Sequence, residues 1–499
     1  MDGVVILSKL KILAKGIGWG SVSVTIITVL QIALMAIMAR LLAPADFGLV
    51  AIANICLRFF NYFAQMGITP AIIQKKNIDD GDLQAALFIS IGVSSICSIV
   101  VIISSGLIED FFKIQNVGLV IQILSMNFVI GGFSSISIGL LRRNNEFKKM
   151  ALIEIASYVV GYGFIGLISA NAGAGVWALV AAFITQMSLL ALLSYNVTRY
   201  TIGFRHTKKQ REYFLSYGGR YSIIGFIEFL SSNIDAIVIG RLMGATPAGF
   251  YNRALLLANL PIQQPANILT KALFPIMSSI GNQHDKQSLS VQLGILLVGC
   301  YAFAIGTGLY VAAPIIVTVL LGDAWSESIP VLRILAWSVG PIYISHVISV
   351  TLDSMNCLNV KLKVQLMSLM LMVILLAGAS QTNSISYIAL ALTVSEWGRL
   401  LAMMFLIVRL LNIEIKELLR IFLSILITSI VCGLLIFVTF EFIPFQWISV
   451  FGLLVQGLIG VFGFVVGIFI SRVFLSKISA ILFLRSRLPI VERFFCFKY

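Results

Sequence analysis

Residues 39–74 read ARLLAPADFGLVAIANICLRFFNYFAQMGITPAIIQ, and nearly the same text returns later in the chain, where residues 240–252 read GRLMGATPAGFYN. At the offset that sets Arg40 on Arg241, Leu41 falls on Leu242 and Gly48 on Gly249. The same offset sets Gly18 on Gly219 and Ser21 on Ser222. The first copy closes one apolar helix, turns over residues 44–48 and runs down a second. The chain therefore carries an internal duplicate of a helical element, and this repeat sets the fold.

Composition fixes the class around it. The mean hydropathy is +1.01 over 499 residues, of which 11% are charged, where soluble domains carry about a quarter charged residues. A spanning helix needs roughly 20 mainly apolar residues. Lipid leaves no solvent for unpaired backbone groups, so the length goes into bundled helices and the polar pieces are connections. The expected fold is an all-α integral membrane protein with about 14 transmembrane helices.

The formal net charge of +14 does not imply nucleic acid, because the basic residues fall in alternate loops, as the positive-inside rule requires. Clusters stand at Lys9, Lys11 and Lys15, at Lys75 and Lys76, at Arg142 to Lys149, and from Arg205 to Arg211. Others stand at Lys361 and Lys363, at Arg409 to Arg420, and from Arg472 to Lys498. The intervening loops hold Asp46, Glu109, Asp110, Asp323, Glu327 and Glu441. That alternation predicts an even number of spans with both termini cytoplasmic. The first helix is read as its own insertion signal, without a cleaved leader. Six cysteines are scattered singly with no metal or disulfide spacing, so they read as small core residues and no metal site is expected.

The predicted spans are residues 17–41, 47–68, 83–108, 117–141, 150–170, 176–197, 213–243, 248–271, 289–320, 331–352, 362–379, 385–408, 418–440 and 448–471. Six spans separate the two copies of the repeat, so both halves enter the membrane from the same side. They are parallel repeats related by a pseudo-two-fold along the membrane normal, an arrangement that places a substrate site between the halves. The expected organisation is an N-terminal six-helix lobe (1–197), a basic cytoplasmic linker (198–212), a C-terminal six-helix lobe (213–408), two additional helices (409–471) and a basic amphipathic tail (472–499) lying on the cytoplasmic membrane face.

Polar groups inside spans mark candidate function. Asn54, Arg58, Asn61 and Gln65 fall at i, i+4, i+7 and i+11, one stripe at helical period. The eighth span repeats the device with Arg253, Gln264, Asn267 and Lys271, and it holds Pro261 and Pro265, which remove backbone donors and should kink it. Glu228 and Asp235 lie seven residues apart on one side of the seventh span. Glu396 and Arg399, at i and i+3, read as a structural pair. Arg40 and Arg241 read as anchors at helix ends, and His346 reads as an interior residue. A cavity rich in Arg, Asn and Gln suits a phosphate-bearing, hydroxylated substrate, since guanidinium groups pair bidentately with phosphate and amides match sugar hydroxyls. No HExxH, Walker sequence or loop carboxylate pair offers enzymatic chemistry.

ARLLAPADFGLVAIA (39–53) with MGITPAIIQKK (66–76), and NIDAIVIGRLMGATPAGFYNRA (233–254) with LPIQQPANILTKALFPIMSS (260–279), carry a family resemblance. The chain resembles the polysaccharide transporter branch of the multidrug/oligosaccharidyl-lipid/polysaccharide exporter superfamily, and within it the Wzx-type repeat-unit flippases. The resemblance implies a MATE-like fold of two six-helix lobes opening alternately to each side, plus two extra helices. It implies transfer of an undecaprenyl-diphosphate-linked oligosaccharide across the bacterial inner membrane, without a cofactor, driven by H+ or Na+ coupling or by the membrane potential. Under it Arg58 and Arg253 line the cavity, and Glu228 and Asp235 are candidate ion sites. Expected partners are the lipid-linked oligosaccharide, membrane lipid, and a glycan polymerase with its assembly proteins. The alternatives are a multidrug or small-metabolite antiporter of the same superfamily, and a peptidoglycan lipid-precursor flippase.

Overall fold

The computed structural model describes residues 25–64, 68–75, 77–203, 205–280, 284–355, 357–442 and 450–475. Within its helices the side chains of residues 62–64, 215–228, 264–280, 284–286, 358, 440–442, 450 and 472–475 lie outside the described part. The described residues form helices and turns and no strand. In order the helices are α1 (Thr25–Leu41), α2 (Pro44–Ala64), α3 (Ile68–Gln74), α4 (Asp80–Phe112) and α5 (Val117–Arg143). Then come α6 (Phe147–Asn171), α7 (Val176–Thr198), α8 (Lys208–Met243), α9 (Ala245–Ile280) and α10 (His284–Leu320). The last are α11 (Ser328–Ser354), α12 (Leu358–Ala379), α13 (Ile385–Leu411), α14 (Ile415–Phe442) and α15 (Val450–Leu475).

Among the described residues, ten helices are long and apolar enough to cross a membrane: α4 to α7 and α10 to α15. The expectation of about fourteen spans adds α1, α2, α8 and α9, each of which runs beyond the described residues or side chains. The chain divides into two compact units between Gly249 and Phe250.

In the first unit α4 and α5 form a hairpin closed by Lys113 and Asn116, both in the left-handed region. The expected acidic outward loop is built into this turn, since the Glu109 carboxylate accepts from the Gly118 N–H at 2.9 Å and so answers the positive end of α5. Small hydroxyl residues line the seam: Ser90 donates to the Gly132 carbonyl at 3.0 Å and Ser98 meets Ser125 at 3.0 Å. Such residues let membrane helices approach closely and supply interhelical hydrogen bonds.

Three local expectations are corrected. The turn placed over residues 44–48 is the first turn of α2. Proline suits that position because its missing N–H has no partner to lose there, and the Asp46 carboxylate accepts from the Ala43 N–H at 3.1 Å. The end of the second span and the loop after it contain a separate helix, α3, with Ile68, Ala71 and Ile72 buried and Arg143 donating to the Ile72 carbonyl at 2.7 Å. The fifth span is interrupted by a π-helical segment, Val159–Gly166, at whose start Tyr158, the residue before it, stacks on Tyr162 with ring centroids 4.9 Å apart.

In the second unit α11 is the central element, with Val331, Leu332, Leu335, Ile344, Ile348 and Leu352 all inaccessible or nearly so. A cluster of Ile295, Ile348, Leu400, Ile407, Ile421 and Ile425 joins α10, α11, α13 and α14, so α14 is integral to this core, and α15 packs along α14 and α10. α9 runs as one helix through Pro261 and Pro265. Pro265 has no N–H to give the Pro261 carbonyl, and the Tyr301 hydroxyl donates to that carbonyl instead at 2.8 Å. This is how a membrane helix tolerates proline: a neighbour satisfies the freed group.

Candidate functional site

The predicted stripe on α2 lies opposite its packed side. Ile52, Ala53, Ile55 and Leu57 are buried, whereas Asn54 and Asn61 are half-buried and Arg58 is exposed. Arg58 enters none of the ion pairs found among the described residues. α2 itself packs against α4, α5, α7 and α8. Gln65 lies outside the described residues.

On α8, Asp235 is 1% exposed, and its neighbour Asn233 donates to the Phe229 carbonyl at 2.8 Å. The Glu228 side chain lies outside the described residues. In the second unit Arg253 is half-buried in the third turn of α9. The side chains of Gln264, Asn267 and Lys271 lie outside the described residues, although the helix that carries them is described. Asn54, Arg58 and Asn61 thus share one face in the first unit, with Asp235 in the core of that unit.

Several other charges have structural partners. Glu396 and Arg399 pair at 2.7 Å. Asp353, at the end of α11, pairs with Lys361 at 2.9 Å. Arg241 lies over the Phe111 ring at 5.4 Å and Arg333 over Tyr310 at 5.8 Å, each a cation held by an aromatic face. His346, expected inside, is exposed on α11 between the buried Ser345 and Val347.

The two copies of the repeated element meet within the first unit. A Cβ on Gly48 would overlap the Ala245 carbonyl oxygen, and a Cβ on Gly249 would overlap the Pro44 carbonyl oxygen. Pro44 and Ala245 are themselves related by the offset of the repeat. The duplicated glycines are therefore the positions at which the two helix starts touch backbone to backbone.

A polar cluster ties the loops of the first unit. Asp79 and Asp82 cap α4 reciprocally, with the Asp82 N–H donating to Asp79 Oδ1 at 2.7 Å and the Asp79 N–H to Asp82 Oδ2 at 3.2 Å. Asp82 is 2% exposed and pairs with Lys75, whose ammonium also lies 5.1 Å from the centroid of the Tyr213 ring. Gln210 Nε2 donates to Asp79 Oδ1 at 3.0 Å, and the Arg205 N–H donates to Gln84 Oε1 at 2.7 Å. Nearby, burial pushes the Tyr200 phenol above its ordinary range, with Tyr195 adding to the effect. The sequence reading missed this cluster, although Asp-x-x-Asp ahead of an apolar run is a legible capping pattern.

In the second unit α10, α14 and α15 enclose an apolar cavity of about 320 Å³, lined by Ala304, Gly308, Ala312, Ile436, Gly460 and Phe464 among others. Gln456, 4% exposed, is in its wall, and both of its amide atoms are buried with no hydrogen-bond partner among the described residues.

Comparison with known proteins adds to this geometry. The profile of a family described as "Polysaccharide biosynthesis protein" matches residues 37–330. An uncharacterized membrane protein in the cps region of Klebsiella pneumoniae is 28% identical over 335 residues, which is 66% of this chain and 68% of that protein. The lipopolysaccharide biosynthesis protein WzxC of Escherichia coli (strain K12) is 25% identical over 64% of this chain. The match spans 65% of that relative, just under two thirds of its length. Among solved structures, the lipid II flippase MurJ in an inward closed conformation aligns with a TM-score of 0.66 at 16% identity, covering 89% of this chain and 97% of that one. At that identity the likeness shows the fold.

Proposed function

The chain belongs to the polysaccharide biosynthesis protein family, and on that premise we propose that it is a membrane transporter, not an enzyme, which moves lipid-linked oligosaccharide units across the membrane for surface polysaccharide assembly. The observation that carries this reading is the polar face of α2. Arg58 is an exposed cation on a helix packed among membrane helices, beside the half-buried Asn54 and Asn61. A charge in that position faces water-filled space and not hydrocarbon. A guanidinium with flanking amides is the donor set that a diphosphate bearing sugars requires. The names of the relatives point the same way, and the apolar cavity in the second unit suits the hydrocarbon part of a lipid-borne substrate.

Under this proposal the two repeats form lobes over 1–197 and 213–408, joined by the basic linker 198–212 and followed by the two additional helices of 409–471. They alternate in access to the substrate, with Asn54, Arg58, Asn61 and Gln65 as its contacts on one lobe and Arg253, Gln264, Asn267 and Lys271 on the other. Both termini lie in the cytoplasm, the membrane is the bacterial inner membrane, and a glycan polymerase takes the product. Asp235, buried in a span, couples an H+ or Na+ ion, with Glu228 as a second candidate site.

The test is complementation of a deletion strain. Arg58→Ala and Arg253→Ala are each expected to lower surface glycan at least ten-fold at unchanged protein level, since a charge-assisted contact contributes about 1.5–3 kcal/mol. Asp235→Asn is expected to remove the ion dependence of export. Wild-type export in both arginine variants removes the cavity role, and unchanged ion dependence removes the coupling role.

A further inference from the structure

The first unit holds a second cavity, of about 510 Å³, between the N-terminal half of α4 and the first turn of α8. Its two ends differ in chemistry. Phe88, Gly92 and Ile96 repeat every fourth residue along α4, an apolar stripe about 12 Å long at the helical rise. Phe88 is 44% exposed and Ile96 62%, and nothing stands within 4 Å of the place where a Cβ on Gly92 would sit. At the other end the lining is Lys208, Arg211 and Glu212.

The basic end is fixed in place. Thr207 and Gln210 cap α8 reciprocally: the Thr207 N–H donates to Gln210 Oε1 at 2.8 Å and the Gln210 N–H to Thr207 Oγ1 at 3.3 Å. The bonds from Gln210 to Asp79 and from Arg205 to Gln84 hold this turn against the start of α4, and His206 meets the Phe88 ring edge-on at 5.0 Å. Among the described residues Lys208 pairs with Glu212 at 3.9 Å, with side chains 83% and 64% exposed. Exposed pairs of this kind contribute little, so Lys208 is available to a stronger anion at small cost.

We propose that this groove is a binding site for one anionic phospholipid, its phosphate between Lys208 and Arg211 and an acyl chain along Phe88, Gly92 and Ile96. A groove that runs from a basic loop onto the apolar face of a spanning helix matches a lipid in both parts, and basic pockets at the membrane boundary recognise anionic headgroups. Zwitterionic lipid carries no net charge to answer the two cations, and free phosphate leaves the apolar stripe uncovered. The site rests on α4 crossing the membrane and not on the transport reading, so its test reads lipid retention and not glycan export.

The experiment is native mass spectrometry and thermal unfolding of the purified full-length protein. The probes are phosphatidylglycerol, phosphatidylcholine and inorganic phosphate. The expected result is retention of one phosphatidylglycerol with a raised Tm, and no comparable effect of phosphatidylcholine or phosphate. The double variant Lys208→Gln with Arg211→Gln is expected to weaken that binding about thirty-fold, at roughly 1 kcal/mol for each basic residue. Gly92→Trp, which fills the apolar end, is expected to abolish it with both cations intact. Undiminished phosphatidylglycerol binding in both variants overturns the site. Equal stabilisation by inorganic phosphate, or by phosphatidylcholine, overturns the assignment to an anionic lipid.

Discussion

At the scale of single residues the described structure separates charges held in pairs from an exposed charge on a polar face. Lys75 with Asp82, Asp353 with Lys361 and Glu396 with Arg399 are paired, whereas Arg58 is exposed on a polar face. The Lys75–Asp82 pair is the deepest, with the aspartate side chain 3% and the lysine 23% exposed. Removing one partner of a buried pair leaves an uncompensated charge and costs about 3–5 kcal/mol, and Asp82 also caps α4. Asp82→Ala is therefore expected to lower stability by about 3 kcal/mol, read as a fall in Tm of the purified protein, with part recovered in the double variant Lys75→Met with Asp82→Leu. An unchanged Tm in Asp82→Ala contradicts the structural role. The stripe of Asn54, Arg58 and Asn61 was legible because a polar residue at helical spacing in an apolar run has no bland explanation. The Lys75–Asp82 pair was not, because the two residues sit on opposite sides of a helix cap and only tertiary packing brings them together.

Among the elements, prolines mark where a helix loses a backbone donor and glycines where two helices touch. The helix in which a kink is expected at Pro261 and Pro265 is continuous over Ala245–Ile280, and the Tyr301 hydroxyl takes over the carbonyl that Pro265 cannot serve. Sequence shows the lost donor but not the replacement, which comes from a helix forty residues away. Tyr301→Phe leaves the Pro261 carbonyl without that donor and is expected to cost about 1–3 kcal/mol. The measurement is thermal unfolding of Tyr301→Phe beside wild type; equal Tm values contradict the role given to this bond. The duplicated glycines run the other way, since the repeat was visible in the text and the structure gives its physical reason. Gly48 and Gly249 recur because the carbonyls of Ala245 and Pro44 occupy the space of a Cβ. The π-helical segment Val159–Gly166 had no signal in hydropathy, which does not distinguish an i→i+5 turn from an α-helical one.

For the whole molecule, the helical class and the membrane setting followed from hydropathy and from the alternation of basic loops, and the transporter family from the resemblance carried by residues 39–76 and 233–279. What the text did not carry were contacts set by packing: the separate helix α3, the clamp of residues 205–210 onto α4, and the apolar cavity with Gln456 in its wall. The central claim is that the substrate is an oligosaccharide on a lipid diphosphate, carried from one leaflet to the other. The measurement that tests it most directly is deletion of the protein followed by isolation of lipid-linked sugars from each leaflet. The account predicts that a lipid-diphosphate oligosaccharide accumulates on the cytoplasmic side while surface glycan is lost, and that wild-type protein restores both. Loss of surface glycan with no lipid-linked sugar accumulating would contradict it.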